Sequence, residues 1–230
     1  MNKPEQNLNS YILNFKNDIV DNMKILLIIP LTGLTKIGIE RRIEYLKSIA
    51  RPGTEIDYIQ IEEGPPAIES MVDHVQASAE VIKYVKKAEE DGYDAIISWC
   101  GGGPGVEPAR TLVDIPVINP GECMRLLASM MGKKVCSVPA PLPVLDLRKD
   151  ETKTLELVKK SIDELKKEGF DAFYLSCLGM WGMGKPLREE LDLPVVDGAE
   201  ASIKMAEIVV ELGLKPSRIA YPKYPPPHRR

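Results

Sequence analysis

Apolar residues run almost unbroken through MKILLIIP, residues 23 to 30. Such a run predicts a parallel strand covered on both faces. EIDYIQIE (55 to 62) alternates apolar with polar positions and predicts a second strand. Between 67 and 92 the apolar positions recur at helical spacing and stop at Gly92, which predicts a long helix. DAIISWC predicts a strand, GVEPARTLV a short helix, IPVINPG a strand, ECMRLLASMMG a helix and KKVCSVP a strand. TKTLELVKKSIDELKKEG is strongly periodic and again closes on a glycine, Gly169. DAFYLSC predicts a strand, PLREEL a short helix, LPVVDG a strand and AEASIKMAEIVVELG a helix. The Pro-rich YPKYPPPHRR is expected to be extended. Strands alternating with helices predict an α/β fold of parallel sheets flanked by helices, joined by right-handed crossovers.

Part of this pattern occurs twice. DGYDAIISWC (91 to 100) and EGFDAFYLSC (168 to 177) share an acidic residue, Gly, an aromatic, Asp and Ala in order, and both end in cysteine (177 − 100 = 77). Each cysteine is followed by a glycine-containing loop and a short helix. Then IPVINPGE matches LPVVDGAE after one inserted residue, pairing Pro116 with Pro194, Val117 with Val195 and Glu122 with Glu200. Common strand–helix–strand grammar accounts for the apolar strands but not for a cysteine at the same register in both copies. The duplication predicts two similar lobes related by a pseudo-twofold axis, with the active site in the cleft between them. The expected division is an N-terminal extension (1–22), a first lobe (23–114) on which 205–230 packs back, and a second lobe (115–204). YILNF in the extension is expected to dock as an extra helix or against a neighbouring subunit, unless Met23 is the natural start.

At 230 residues, with 44% hydrophobic and 28% charged residues, the composition is that of an ordinary globular protein. A net charge of −4 gives no reason to expect a nucleic-acid partner. No apolar run approaches the roughly 20 residues of a membrane span, and residues 1 to 22 lack the marks of a signal peptide, so a cytoplasmic location is expected. Four cysteines match no zinc spacing, and two histidines, His74 and His228, leave little for a His-based metal site or a Ser-His-Asp triad. Lys- and Glu-dense helices are compatible with a heat-loving source.

The chemistry is expected at Cys100 and Cys177. Ligands of open parallel sheets bind beyond the carboxyl ends of strands, where both cysteines fall. The loops CGGGPG and CLGMWGMG let backbone N–H groups approach a ligand, and such surroundings are expected to lower a thiol's pKa from about 8.5 towards neutrality. Two thiols facing across a cleft suit the inversion of a stereocentre: one takes a proton from one face while the other delivers one to the opposite face. A carbon acid beside a carbonyl passes through an enolate that loop amides stabilise. No metal or organic cofactor is required. Cys123, inside a helix pattern, and Cys136, inside a strand, are expected to be structural.

The stretches IIPLTG, GPPAIES, ISWCGGGPG, LSCLGM and LPVVDGAEASIKMAEIVVELGL, with the closing YPKYPPP, resemble the aspartate/glutamate/hydantoin racemase superfamily, nearest its hydantoin and allantoin branch. The resemblance covers Met23 to about Pro227. It implies two α/β lobes, cofactor-independent racemisation of 5-monosubstituted hydantoins, and Cys100 and Cys177 as the catalytic pair. It implies substrate contacts at Pro30, Thr32, Gly101, Gly102, Leu178 and Gly179, a small-molecule hydantoin-like substrate, and a homo-oligomer. Two loops depart from the family pattern. Where it usually reads NPNT this chain has IPLT, replacing a polar Asn by Leu31. Where it reads CFGDPG this chain has CGGGPG, with Gly101 for an aromatic and Gly103 for an Asp. A pocket so changed favours a less polar ring or side chain. Racemisation of aspartate, glutamate or allantoin, isomerisation of a maleate-like diacid, and ligand binding without catalysis are the alternatives. Cys-Gly-Gly and Cys-Leu-Gly, in place of Cys-Asn-Thr, weigh against the amino-acid substrates. Trp99 and Trp181 are either cleft walls or core aromatics. Glu69 and Ser70 either bind ligand or cap a helix, with capping preferred. Asp197 and Glu200 either orient a thiol or serve as acids at a helix start.

Overall fold

The computed structural model describes residues 22–225. The expected features of 1–21 and 226–230, His228 among them, lie outside the described residues. Two parallel sheets carry the fold. The first has the order β2 (Thr54–Gln60), β1 (Met23–Ile29), β3 (Ala95–Ser98), β4 (Val117–Ile118); the second has the order β5 (Val135–Val138), β6 (Ala172–Leu175), β7 (Val195–Val196).

β1 explains its own composition. Ile25, Leu27 and Ile29 pack on one face with Ile39, Ile43 and Leu46 of α1 (Lys36–Ile49) and Ile203 of α7 (Gly198–Glu211). Leu26 and Ile28 pack on the other face with Val81 and Val85 of α2 (Met71–Glu90) and Val106 of α3 (Val106–Leu112). Both faces are dry, so no polar position survives in the middle of the strand. The second sheet buries Phe173 and Leu175 against Val158 and Ile162 of α5 (Glu151–Lys167) and Leu187 of α6 (Gly184–Leu191). α4 (Pro120–Met131) packs on its opposite face and against α7. Met124 and Leu178 belong to the same buried cluster as β1, so one core runs through both halves.

The structure departs from the sequence expectation in three respects. The pattern read above assigns no element to 36–49, and α1 forms there, capped by Thr35, whose side chain accepts from Gly38 N. The long helix begins at Met71 rather than 67, because the Ser70 hydroxyl accepts from Asp73 N and starts it there. The division at 114/115 assigns β4 to the second lobe, but β4 pairs with β3 in the first sheet. α7, which the expected division cuts at 204/205, is one helix that packs against α4 and also against α1 and β3 of the first half. The described part of the tail lies on the first half: Arg218 binds Asp114 Oδ1 at 2.9 Å through Nε, and Tyr224 N donates to Thr111 O at 2.9 Å. Among the described residues no helix is long and apolar enough to cross a membrane.

The duplication has a side-chain counterpart that the sequence comparison did not reveal. Arg110 donates from Nε and Nη2 to Val117 O and binds Glu122 at 2.7 Å. Arg188 donates to Val195 O at 2.8 Å and binds Glu200 at 2.9 Å. Each residue of one clamp lies 78 positions from its counterpart (188 − 110 = 78). Asn119 and Asp197, at the same offset, cap α4 and α7 by accepting from Gly121 N and Ala199 N. Each clamp ties the short helix after a cysteine loop to the next strand and helix.

Candidate active site

Cys100 and Cys177 each stand two residues beyond their strands, β3 and β6, at the carboxyl ends of the two sheets. Both line one cavity of about 590 Å³, with Gly101, Gly102, Ser176, Ile68, Met71 and Leu142. Both also line a deeper recess of about 40 Å³ with Leu31, Trp99, Leu178, Gly179 and Arg42. The two thiols are thus brought to one space from two sheets.

Glycine makes this approach possible. A Cβ on Gly101 would lie 1.9 Å from Ser176 O, so the residues next to the two cysteines touch backbone to backbone. No side chain has room at this position. Gly103 holds φ at +59°, and a Cβ there would meet the Asn119 side chain at 2.4 Å. The loop turns there, and the Gly102 and Gly103 amides face the Cys100 sulfur. Gly179 N donates to Cys177 Sγ at 3.4 Å.

The thiol electrostatics correct the expectation of lowered pKa values. Burial pushes Cys100 up to about 11; the Gly102 and Gly103 amides oppose it, and proximity of Cys177 adds to it. Cys177 is also raised, first by burial and then by Glu69, while the Gly179 amide and the Arg42 guanidinium pull it back. Amides and one guanidinium do not compensate for the loss of water around two sulfurs. Charge on either thiol is costly here.

Of the substrate-contact residues expected from the sequence, Gly101 and Gly102 line the main cavity and Leu178 and Gly179 the recess. Pro30 and Thr32 line neither. Thr32 is turned towards the 64–66 loop, donating from N to Pro65 O at 3.0 Å. Leu31 and Leu34 face the recess instead. Trp99 walls the recess. Trp181 packs outside it, with Arg148 3.9 Å from its ring centre and Tyr45 at 5.2 Å. Ser70 caps α2, and Glu69 accepts from Val144 N at 2.8 Å, holding the 139–150 loop over the cavity. Asp197 is buried as the α7 cap, its carboxyl pushed up to about 6 by burial and by Glu200. Glu200 binds Arg188 and accepts from Tyr45 Oη at 3.2 Å, so neither acid touches a thiol. Cys123 is core, and Cys136 sits in β5 away from the cavity. His74 lies on the cavity wall, Nε2 3.2 Å from Gly102 O. Sequence reasoning missed Arg42 and the loop residues Ala140, Leu142, Pro143 and Val144.

The model of the Asp/Glu/Hydantoin racemase family matches residues 25–141. A hydantoin racemase from Pseudomonas sp. (strain NS671) is 34% identical over 235 residues, covering 88% of this chain and 92% of that protein. The chain belongs to the Asp/Glu/hydantoin racemase family. It is a racemase, an isomerase of the two-lobed fold characteristic of that family. A hydantoin racemase from Paenarthrobacter aurescens is 28% identical over 201 residues, 75% of this chain and 85% of that protein. Among solved structures, allantoin racemase from Klebsiella pneumoniae superposes with a TM-score of 0.79 at 30% identity, covering 88% of this chain and 94% of that one.

Proposed function

We propose that this racemase inverts the C5 stereocentre of 5-monosubstituted hydantoins with Cys100 and Cys177 as its two bases and without a cofactor. The observation that carries the reading is the convergence of both thiols on one cavity from equivalent points of two sheets. Allantoin is itself a hydantoin with a ureido group at C5, so the similar proteins share a ring whose C5–H lies beside a carbonyl. One thiolate takes the C5 proton; the C–H electron pair moves to the C4 carbonyl oxygen as an enolate; the facing thiol returns a proton to the other face. The thiols then hold exchanged charges and serve the opposite enantiomer. Ile68, Met71, Leu142, Pro143 and Val144 form a wall suited to an apolar substituent. A second substituent class has its own support: Glu69, Ser70 and His74 form a polar arc suited to a ureido group.

The test is one enantiomer of 5-benzylhydantoin in D2O with EDTA and reductant, followed by optical rotation and by loss of the C5 proton signal. Enzyme-dependent loss of both is expected, and it is abolished in Cys100→Ala and in Cys177→Ala. Full turnover by either single variant overturns the two-base mechanism. Running (S)-allantoin in parallel decides between the apolar wall and the polar arc.

A further inference from the structure

Arg42 is a buried cation without an anion. It sits on α1, 6% exposed, and its guanidinium donates to Gly38 O at 2.7 Å. Its neighbours Arg41 and Arg148 share Glu151, at 2.7 and 3.1 Å. Among the described residues no carboxylate lies within salt-bridge distance of Arg42 itself. Its contact with the Trp181 ring, 6.0 Å from the centroid, is at the outer limit of a cation–π interaction. An unpaired charge in this position is unfavourable for the fold alone. Burial, Arg148 and Arg41 together lower its pKa to about 10, with Cys177 acting in the opposite sense. Arg42 also lines the recess in which both thiols meet.

We infer that Arg42 is the counter-ion of Cys177 and makes Cys177, rather than Cys100, the more readily ionised of the two thiols. The inference rests on the two-thiol reading above and adds an order to it. Of the charged or titratable groups nearby, only Arg42, Cys100 and Cys177 line the recess itself; Glu69 and His74 line the adjoining cavity, and Arg148 and Arg41 stand behind Arg42. Arg42 comes from α1, Cys100 from the end of β3, Glu69 and His74 from the start of α2, and Arg148 from the loop after β5. Glu69 opposes ionisation of Cys177, and Arg42 is the cation that favours it. Cys100 has only amides in its favour. Ionisation releases the Cys177 proton to water, so the first proton abstraction falls to Cys177 and Cys100 begins as the acid. The two enantiomers are equal in energy, so kcat/KM is the same in both directions. The asymmetry shows in kcat and KM separately. Arg42 is in this account a positioning residue for charge.

The test is alkylation of the full chain by iodoacetamide across pH, with the modified cysteine identified by peptide mass spectrometry. In the unaltered protein Cys177 is expected to react at lower pH than Cys100. Arg42→Gln is expected to raise the Cys177 midpoint by about 1 to 3 pH units and to leave Cys100 nearly unmoved. Arg42→Lys, which keeps a charge, is expected to hold Cys177 close to its original midpoint. Earlier reaction of Cys100 in the unaltered protein overturns the inference, as does an unmoved Cys177 midpoint in a folded Arg42→Gln chain. If Arg42→Gln does not fold, the order of reaction and the Lys variant still decide. Because no substrate takes part, a failure to racemise hydantoins is a separate result and leaves this one readable.

Discussion

Replacing Gly101 by Ala changes one hydrogen to a methyl group, yet it should stop catalysis. The added Cβ would lie 1.9 Å from Ser176 O and 3.0 Å from Ser176 C, whereas ordinary contact begins at 3.4 Å. Both atoms belong to backbone, so no side chain can swing aside. The loops must separate by about 3.4 − 1.9 = 1.5 Å. Gly101 adjoins Cys100 and Ser176 adjoins Cys177, so the separation passes directly to the two sulfurs. A misplacement of about 1 Å at a reacting centre costs on the order of 100-fold in rate, or about 2.7 kcal/mol. Gly101→Ala should therefore lower kcat/KM at least about 100-fold, measured by optical rotation on a single hydantoin enantiomer. Gly102→Ala, on the same cavity wall, is the comparison, with a smaller loss expected because no backbone stands in its way. Its Cβ would meet only the His74 ring edge, at 3.2 Å, and the Cys100 sulfur, at 3.9 Å. Thermal melts establish that both variants are folded. Near-normal turnover by a folded Gly101→Ala protein would refute the claim that close backbone approach sets the spacing of the thiols.

Asp197→Asn tests the buried cap. The Asp197 carboxyl is raised from 3.8 to about 6, so the folded chain holds its proton more tightly than the unfolded chain. Its contribution is therefore fullest below about pH 4 and falls as pH rises to 6, a change of order 3 kcal/mol. The difference in melting temperature, wild type minus Asp197→Asn, should fall across that window; a flat difference contradicts the assignment. Asn119 occupies the equivalent cap, so the amide has a precedent in this chain. Glu69→Ala removes the acceptor that holds Val144 N. It should raise KM several-fold, consistent with about 1 kcal/mol for an exposed hydrogen bond, with little change in kcat. An unchanged KM for the hydantoin rules out the latch.

Much of the framework was legible because local physics decides it. Ile25 to Ile29 had to be covered on both faces, Gly92 and Gly169 had to end their helices with positive φ, and the repeated cysteines had to lie at matching strand ends. β4 and β7 shrank to two residues each because prolines precede them and Asn119 and Asp197 start helices at once behind them. α1 escaped notice because its charge density masks the buried series Ile39, Ile43 and Leu46. Arg42 was hidden with it: a helix position gives no sign that a guanidinium will be buried. The wall formed by 140–144 was illegible because a Pro-rich loop has no period to place it. The duplicated arginine clamp required geometry: Pro108 and Pro186 stand two residues before Arg110 and Arg188, but the other flanking residues of those helices do not match.

The contact between Gly101 and Ser176 has a mechanical consequence. It pins the floor of the cleft, while the Glu69–Val144 bond fastens its rim. The two ends of the cleft therefore resist opening unequally: the rim yields at the loss of one hydrogen bond, about 1 kcal/mol, the floor only with a shift of both backbones. Loosening the outer loop then costs one hydrogen bond and leaves the spacing of the two sulfurs as the backbone sets it.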